Sequence, residues 1–509
     1  MKKKQMRMRF LITALIPILT GVLIIACDSP ASPKPAVPTP TPPDTRPVPN
    51  DVTYFGNNNT AGEAPLDTNA YKGTTKPVIT MRRNNLYRVG YRFAGWTTKA
   101  DASEPVYKEG EDISEHVKNY PLQLYAKWEE VFPRISAGES FSTLVTQDGK
   151  VYTAGYGANG RLGNNSTADS STFTEITFPQ SRKAQRVSSG WNHSFALLGG
   201  GKVAGWGLGD YGKLGMGDKK QGNVTAPESP IYSSIADEER GLGNVVYIAA
   251  GPYQTAFINE KGEYWAAGTG NNGALGNGTD ERETQFKKVA TPGIVVSAAA
   301  GWNYVLLVKK DGSLWVSGWG SDGRLGNGGL DVPKLQELKA MGSDNKEVFA
   351  GKFDYSMVLK KGGRLLSAGY NLSGKLGQGG TGTKYSFLPV VDTDNKPMTG
   401  VAFVSLGRNH SMILKNDGTL WAAGENSEYQ LGTGARANQD KAYKVMDRVA
   451  HVAAGNNFTL AVTDDGVLWA VGSNANGQFG QGNTISATQW TRITGPADKN
   501  PPAGAGEKK

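Results

Sequence analysis

The sequence predicts an all-β protein, a seven-bladed β-propeller preceded by a small β-rich unit, on two observations. Beyond residue 130 a unit of about 50 residues recurs seven times. A small-residue-Gly pair marks each copy at Gly138, Gly190, Gly251, Gly301, Gly351, Gly407 and Gly455, and a Leu-Gly or Phe-Gly follows at Gly163, Gly215, Gly276, Gly326, Gly377, Gly432 and Gly480. Between the marks lies a two-residue turn such as Asp148-Gly149, Asp311-Gly312 or Asp417-Gly418, flanked by apolar runs. That is a β-hairpin signal, because both turn residues tolerate positive φ. Each unit has room for four strands, the size of one propeller blade.

Taken in chain order, residues 1–9 are basic, 10–26 are apolar, and the stretch ends at Ile24-Ile25-Ala26-Cys27, the chain's one cysteine. This resembles a bacterial lipoprotein signal with its lipobox. The resemblance implies cleavage before Cys27, lipidation of its sulfur, and an envelope protein held to a membrane by acyl chains and displayed at the cell surface. A transmembrane anchor is the competing reading, but 17 apolar residues interrupted by Pro17 and Gly21 are short for one. Residues 28–50 carry nine prolines and nothing able to form a core. They read as a linker that, in polyproline II at about 3.1 Å per residue, reaches roughly 70 Å.

Residues 51–129 form the small β-rich unit. Val52-Thr53-Tyr54-Phe55 stops at a Gly-Asn turn, and Leu122 to Trp128 alternates with period two. Gly90-Tyr91-Arg92-Phe93-Ala94-Gly95-Trp96, with the closing Leu124-Tyr125-Ala126-Lys127-Trp128, resembles the Listeria–Bacteroides (internalin B-type) repeat. That resemblance implies a small β-grasp-like domain and surface display, with no catalytic residue. Trp96 and Trp128 are expected in its core.

Residues 130–495 hold the repeats, and 496–509 are expected to be a disordered tail. The two landmarks lie 25 residues apart in six units and 26 in the fifth, whereas the connection to the next unit ranges from 23 to 36. Length variation is thus confined to one surface loop per unit. The segment Gln489-Trp490-Thr491-Arg492-Ile493 matches Thr172-Phe173-Thr174-Glu175-Ile176, and the first unit has no lead-in strand of its own. The carboxy-terminal strand is therefore expected to complete the first blade and remove its edge. Leu406-Gly407-Arg408-Asn409-His410-Ser411, Asp417-Gly418-Thr419-Leu420-Trp421-Ala422-Ala423-Gly424 and Gly323-Arg324-Leu325-Gly326 together resemble regulator of chromosome condensation repeats, whose family fold is a seven-bladed propeller.

Composition narrows the function. The formal charge is +9, but five positive charges precede Cys27, so about +4 remains on residues 28–509. That is too sparse for a nucleic-acid binder. One cysteine and four histidines supply no Cys/His metal site, and no cofactor is expected. Gly155-x-Gly157-x-x-Gly160 fits a dinucleotide fingerprint, but it recurs from Gly207, Gly268 and Gly318 and opens no helix, so these glycines read as turn formers. Trp265, Trp315, Trp421, Trp469 and Tyr152 recur at one blade position and are expected between blades. His193 and His410 are expected to bond turn backbone.

The positions that vary from blade to blade are more informative. Glu139, Trp191, Pro252, Trp302, Lys352, Arg408 and Asn456 follow the first landmark; Tyr156, Leu208, Thr269, Trp319, Tyr370, Glu425 and Ser473 follow the blade's middle glycine. Both sets should ring the axis on one face. Trp191, Trp302, Trp319, Tyr156, Tyr370, Arg408 and Glu425 are the candidate partner-binding residues, with the tryptophans expected to be exposed, because aromatics with scattered charges are the composition of a protein-binding hot spot. The expected function is that of a lipid-anchored, non-enzymatic protein whose propeller face binds an extracellular or envelope macromolecule, a protein first of all. Guanine-nucleotide exchange on a small GTPase, implied by the family resemblance, and glycan binding are the alternatives.

Overall fold

The computed structural model describes residues 52–64, 86–101, 107, 108, 111, 122–218, 222–229 and 241–496. The expected leader with Cys27, the proline-rich linker and all but the first residue of the expected tail lie outside them.

Three strands come first: β1 (Val52–Phe55), β2 (Tyr91–Thr97) and β3 (Leu122–Glu130). β3 is central, parallel to β1 and antiparallel to β2. Trp96, Leu124 and Ala126 are fully buried, Tyr54 meets Trp96 edge-on at 4.7 Å, and the Trp128 indole donates to the Gly56 carbonyl at 2.9 Å. Both tryptophans therefore serve the sheet's own packing.

Seven four-stranded antiparallel sheets follow among the described residues, over 134–176, 184–228, 245–288, 295–337, 345–389, 401–446 and 449–493. In blade one the strands are β4 (Arg134–Ala137), β5 (Phe141–Val145), β6 (Val151–Gly155) and β7 (Ser170–Ile176), and every blade keeps its strands in sequence order. The fold is an all-β, seven-bladed propeller behind a small β-sheet.

The expected exchange of the last strand is overturned. Ala487–Ile493 pairs with Leu468–Gly472 of its own blade. Residues 134–137, directly after β3, already supply blade one with an inner strand, so no place is left for another. The ring closes by side chains and outer loops instead. The Ser142 hydroxyl donates to the Gln478 carbonyl, the Phe173 amide to Gly480 at 3.2 Å and the Gly482 amide to Ser171 at 2.7 Å. Ala137 and Leu144 share one apolar core with Phe458, Leu460 and Val462.

The two glycine landmarks answer different demands. At the second landmark every φ is positive, as at Gly163 (68°). At the first landmark none is, and the demand there is space: a Cβ on Gly138 would fall 1.9 Å from the Phe141 ring, and one on Gly301 2.0 Å from the Tyr304 ring. In six blades the ring that needs this space opens the second strand, where blade three has Gln254, and in five blades the strand-opening residue bonds to the next blade. His193 Nε2 meets Thr255 Oγ1 at 2.8 Å, Gln254 donates to the Gly301 carbonyl at 2.6 Å, the Tyr304 hydroxyl to Tyr355 at 2.5 Å, and the Tyr355 hydroxyl to His410 at 2.6 Å; His410 Nε2 meets Thr459 Oγ1 at 3.0 Å. The two histidines thus bond hydroxyls of the neighbouring blade, not turn backbone. Thr459 spends its own hydrogen on the Gln430 carbonyl at 2.7 Å, so His410 is the donor through Nε2–H.

Thr459→Val keeps the shape and leaves the His410 N–H and the Gln430 carbonyl without this partner; a loss of about 2 kcal/mol in urea unfolding is expected. Burial pushes the imidazoles of His410 to about 3 and His451 to about 4, against 6.5 when unfolded. The unfolded chain then binds protons that the folded chain refuses, so stability falls as pH drops below 6.5. For His410 the loss reaches about 2 kcal/mol near pH 5. Urea midpoints from pH 7.5 to 5 are expected to fall less steeply in His410→Gln than in the parent.

Candidate functional site

In all seven blades the loop after the first landmark and the loop after the middle glycine are tied by one repeated bond. The Tyr156 amide donates to Ser140, Leu208 to Asn192, Thr269 to Tyr253, Trp319 to Asn303, Tyr370 to Asp354, Glu425 to Asn409 and Ser473 to Asn457. Both variable sets therefore lie on one face, as the blade symmetry predicts.

At the axis the inner loops bond to one another: the Glu139 amide to the Trp191 carbonyl at 3.0 Å, and the Asn456 amide to Glu139 at 3.0 Å. Lys352 closes the centre. Its ammonium crosses from blade five to the Ala137 and Gly138 carbonyls of blade one, the latter at 2.8 Å. Burial pulls the Lys352 amine down to about 7, with the nearby Glu139 charge opposing. Only about 10 Å³ is left between Glu139, Trp191, Lys352, Phe353, Arg408 and Asn456.

Around this plug runs a continuous aromatic arc. Trp191 and Tyr253 have ring centroids 6.0 Å apart, Tyr253 and Trp302 6.4 Å, Trp302 and Trp319 6.0 Å, and Trp302 and Phe353 4.1 Å. Tyr211, half exposed, joins at Tyr253, and the exposed Arg408 lies over Phe353. Trp191, Trp302 and Trp319 are half-buried rather than freely exposed, because each packs on an aromatic neighbour. Tyr156 and Tyr370 stand further out, each 37% exposed. Glu425 is half-buried and holds Asn409 at 2.9 Å, apart from the arc.

Beneath the rings lie four buried cations that sequence reading did not single out. Arg161, Lys213, Arg324 and Lys375 occupy the variable position of the Gly-x-Leu-Gly motif and are at most 3% exposed. Each lies under a ring: Arg161 by Tyr156 at 4.6 Å, Lys213 by Tyr253 at 5.7 Å, Arg324 by Trp319 at 4.7 Å, Lys375 by Tyr370 at 5.2 Å. Arg161 pairs with Glu139 at 3.2 Å and Lys375 with Asp354 at 2.6 Å; Arg324 donates to the Trp302 carbonyl at 2.8 Å and pairs with Asp322. Lys213 bonds Asn192 at 2.7 Å, and burial, partly offset by Asp210, lowers its amine to about 8. A charged side chain in four of seven copies of an otherwise small or amide position was the signal available in the sequence. Tyr253 and Phe353 were missed because each sits one residue past the position compared between blades. Among the described residues no three His, Cys, Asp or Glu gather as a metal site.

Comparison with known proteins agrees with this architecture. The family model for the RCC1-like domain matches residues 72–391, and regulator of chromosome condensation (RCC1) repeat models match 401–430, 417–462 and 449–478. The human E3 ubiquitin-protein ligase HERC2 is 31% identical over 311 residues, 59% of this chain but 6% of its own length. The Arabidopsis thaliana ultraviolet-B receptor UVR8 is 28% identical over 63% of this chain and 71% of its own. Among solved structures, that of Kap60 bound to yeast RCC1 (Prp20) superposes with a TM-score of 0.60 at 22% identity, covering 70% of this chain and 86% of that one.

Asp354→Asn removes the counter-charge of the buried Lys375. A loss of about 3 kcal/mol in thermal or urea unfolding is expected, against a smaller one for Asp322→Asn, whose carboxylate is 41% exposed.

Proposed function

Because the chain belongs to the RCC1-like domain family, we propose that it is a non-enzymatic binding protein whose aromatic face grips a protein partner. One observation carries the reading: the arc Trp191–Tyr253–Trp302–Trp319, extended by Phe353, is held on one face by buried cations beneath it. Aromatic anchors that are already packed lose little freedom on binding, which is where hot-spot energy comes from. Half-buried edges favour a protein surface over a sugar, which would stack on an open ring face. The exchange-factor alternative rests on likeness of fold alone.

The same proposal places the protein in a bacterial cell envelope, anchored through lipid on Cys27 and raised on the proline-rich linker of residues 28–50. The basic, then apolar, then Ala-Cys pattern of residues 1–27 supports this. The small β-sheet, in its internalin-type resemblance, would serve as spacer or second contact.

Trp302→Ala is expected to weaken partner binding by about 2 kcal/mol, roughly thirty-fold, with unchanged circular dichroism. Binding equal to that of the parent in surface plasmon resonance, against a partner captured from envelope extracts and identified, contradicts the assignment. Cys27→Ser is expected to abolish incorporation of labelled palmitate and move the protein from the membrane pellet to the soluble fraction; persistence in the pellet contradicts the anchor.

A further inference from the structure

On the other side of the Lys352 plug the propeller axis holds a cavity of about 330 Å³. The inner strands give it its chemistry. Four residues before each first landmark stand Arg134, Arg186, Tyr247, Ser297, Glu347, Phe403 and His451, one per blade. Symmetry puts them at one level, and Arg186, Tyr247, Glu347 and Phe403 line the cavity. Two positions on, six of the seven are small, Ser136, Ser188, Ala249, Ala299, Ser405 and Ala453, with Phe349 the exception.

Three of the polar groups at this level have their needs met within the protein. Arg134 pairs with Glu130 and donates to the Gln185 carbonyl, both at 2.7 Å; His451 Nε2 meets the Val131 carbonyl at 2.9 Å; Tyr247 bonds Ser297. Two have no partner in the protein. Among the described residues neither the exposed Arg186 nor the half-buried Glu347 makes a side-chain hydrogen bond or ion pair, and the Arg186 charge acts on Glu347. Arg186 belongs to blade two and Glu347 to blade five, so they stand on nearly opposite walls, and they do not pair with each other. Burial pushes the Glu347 carboxyl up to about 7, with the Lys346 and Arg186 charges opposing.

We propose that the axial cavity binds a small zwitterion, an amino acid, whose carboxylate sits on Arg186 and whose ammonium sits on Glu347. A molecule carrying both charges meets both walls at once, whereas an anion or cation alone leaves one wall without a partner. Tyr247 and Phe403 supply the apolar flanks for the carbon chain between the charges. Lys352 closes the far end, so the ligand enters from the face opposite the aromatic arc. The site is independent of the partner-binding reading.

Calorimetric titration of the whole protein with glycine, γ-aminobutyrate, 6-aminohexanoate and phenylalanine tests this, with butylamine and butyrate as single-charge controls. At least one zwitterion is expected to bind at least ten-fold more tightly than either control. Arg186→Gln and Glu347→Gln are each expected to weaken that binding at least ten-fold, Arg186→Lys to retain it, and Trp302→Ala to leave it untouched. Neither glutamine variant should lose thermal stability, because each removes an unpaired charge. No zwitterion binding up to about 10 mM, tighter binding of a single-charge control, or binding unchanged in both glutamine variants overturns the proposal.

Discussion

The ring depends on one recurring side chain, the residue that opens the second strand of each blade. In six blades it is a ring lying across the space where the landmark glycine has no Cβ, and in five blades it ends on a polar atom of the next one. A blade by itself would be a four-stranded sheet with both broad faces apolar. Packing neighbours together buries those faces, and the cross-blade bonds fix the angle at which they meet. At Phe458, beside the closure, apolar packing takes the place of a bond, and Ser142 supplies the hydrogen bond across the seam.

The same device builds the face. Since the ring-bearing residue lies three or four positions after the glycine, the loop between them is short and held at both ends, and its side chains project at the axis. In blade five that loop is one residue longer. The extra length lets Lys352 cross to blade one and brings Asp354 onto Lys375. One added residue thus closes the channel on the aromatic side and leaves the cavity open towards the other.

Much of this was legible in the sequence. The seven Gly landmarks, the Asp-Gly turns and the confined length variation give the blade count and the strand pairing, because backbone conformation and close approach leave few residues that fit. The one-residue excess in the fifth unit was visible as a spacing of 26 rather than 25, yet its meaning lay in a contact between residues more than two hundred positions apart. Closure was misread for a similar reason: residues 134–137 are too short to stand out as a strand until β5 is beside them. The arc was foreseen in part, through Trp191, Trp302 and Trp319. Tyr253 and Phe353 join it through loop geometry that alignment by glycine does not capture, and the cations below it are buried against the ordinary expectation for Arg and Lys.

Seven blades close into a ring without exchange of a strand, through hydrogen bonds and a shared apolar core at the seam. Native-state hydrogen exchange at the amides of Phe173 and Gly482, which bridge blades one and seven, measures this directly. In a closed ring they open with the same free energy and denaturant dependence as the buried strand amides of blade five, in one global event. Exchange at the seam through a smaller opening, insensitive to denaturant, would mean an open stack of blades and would contradict it.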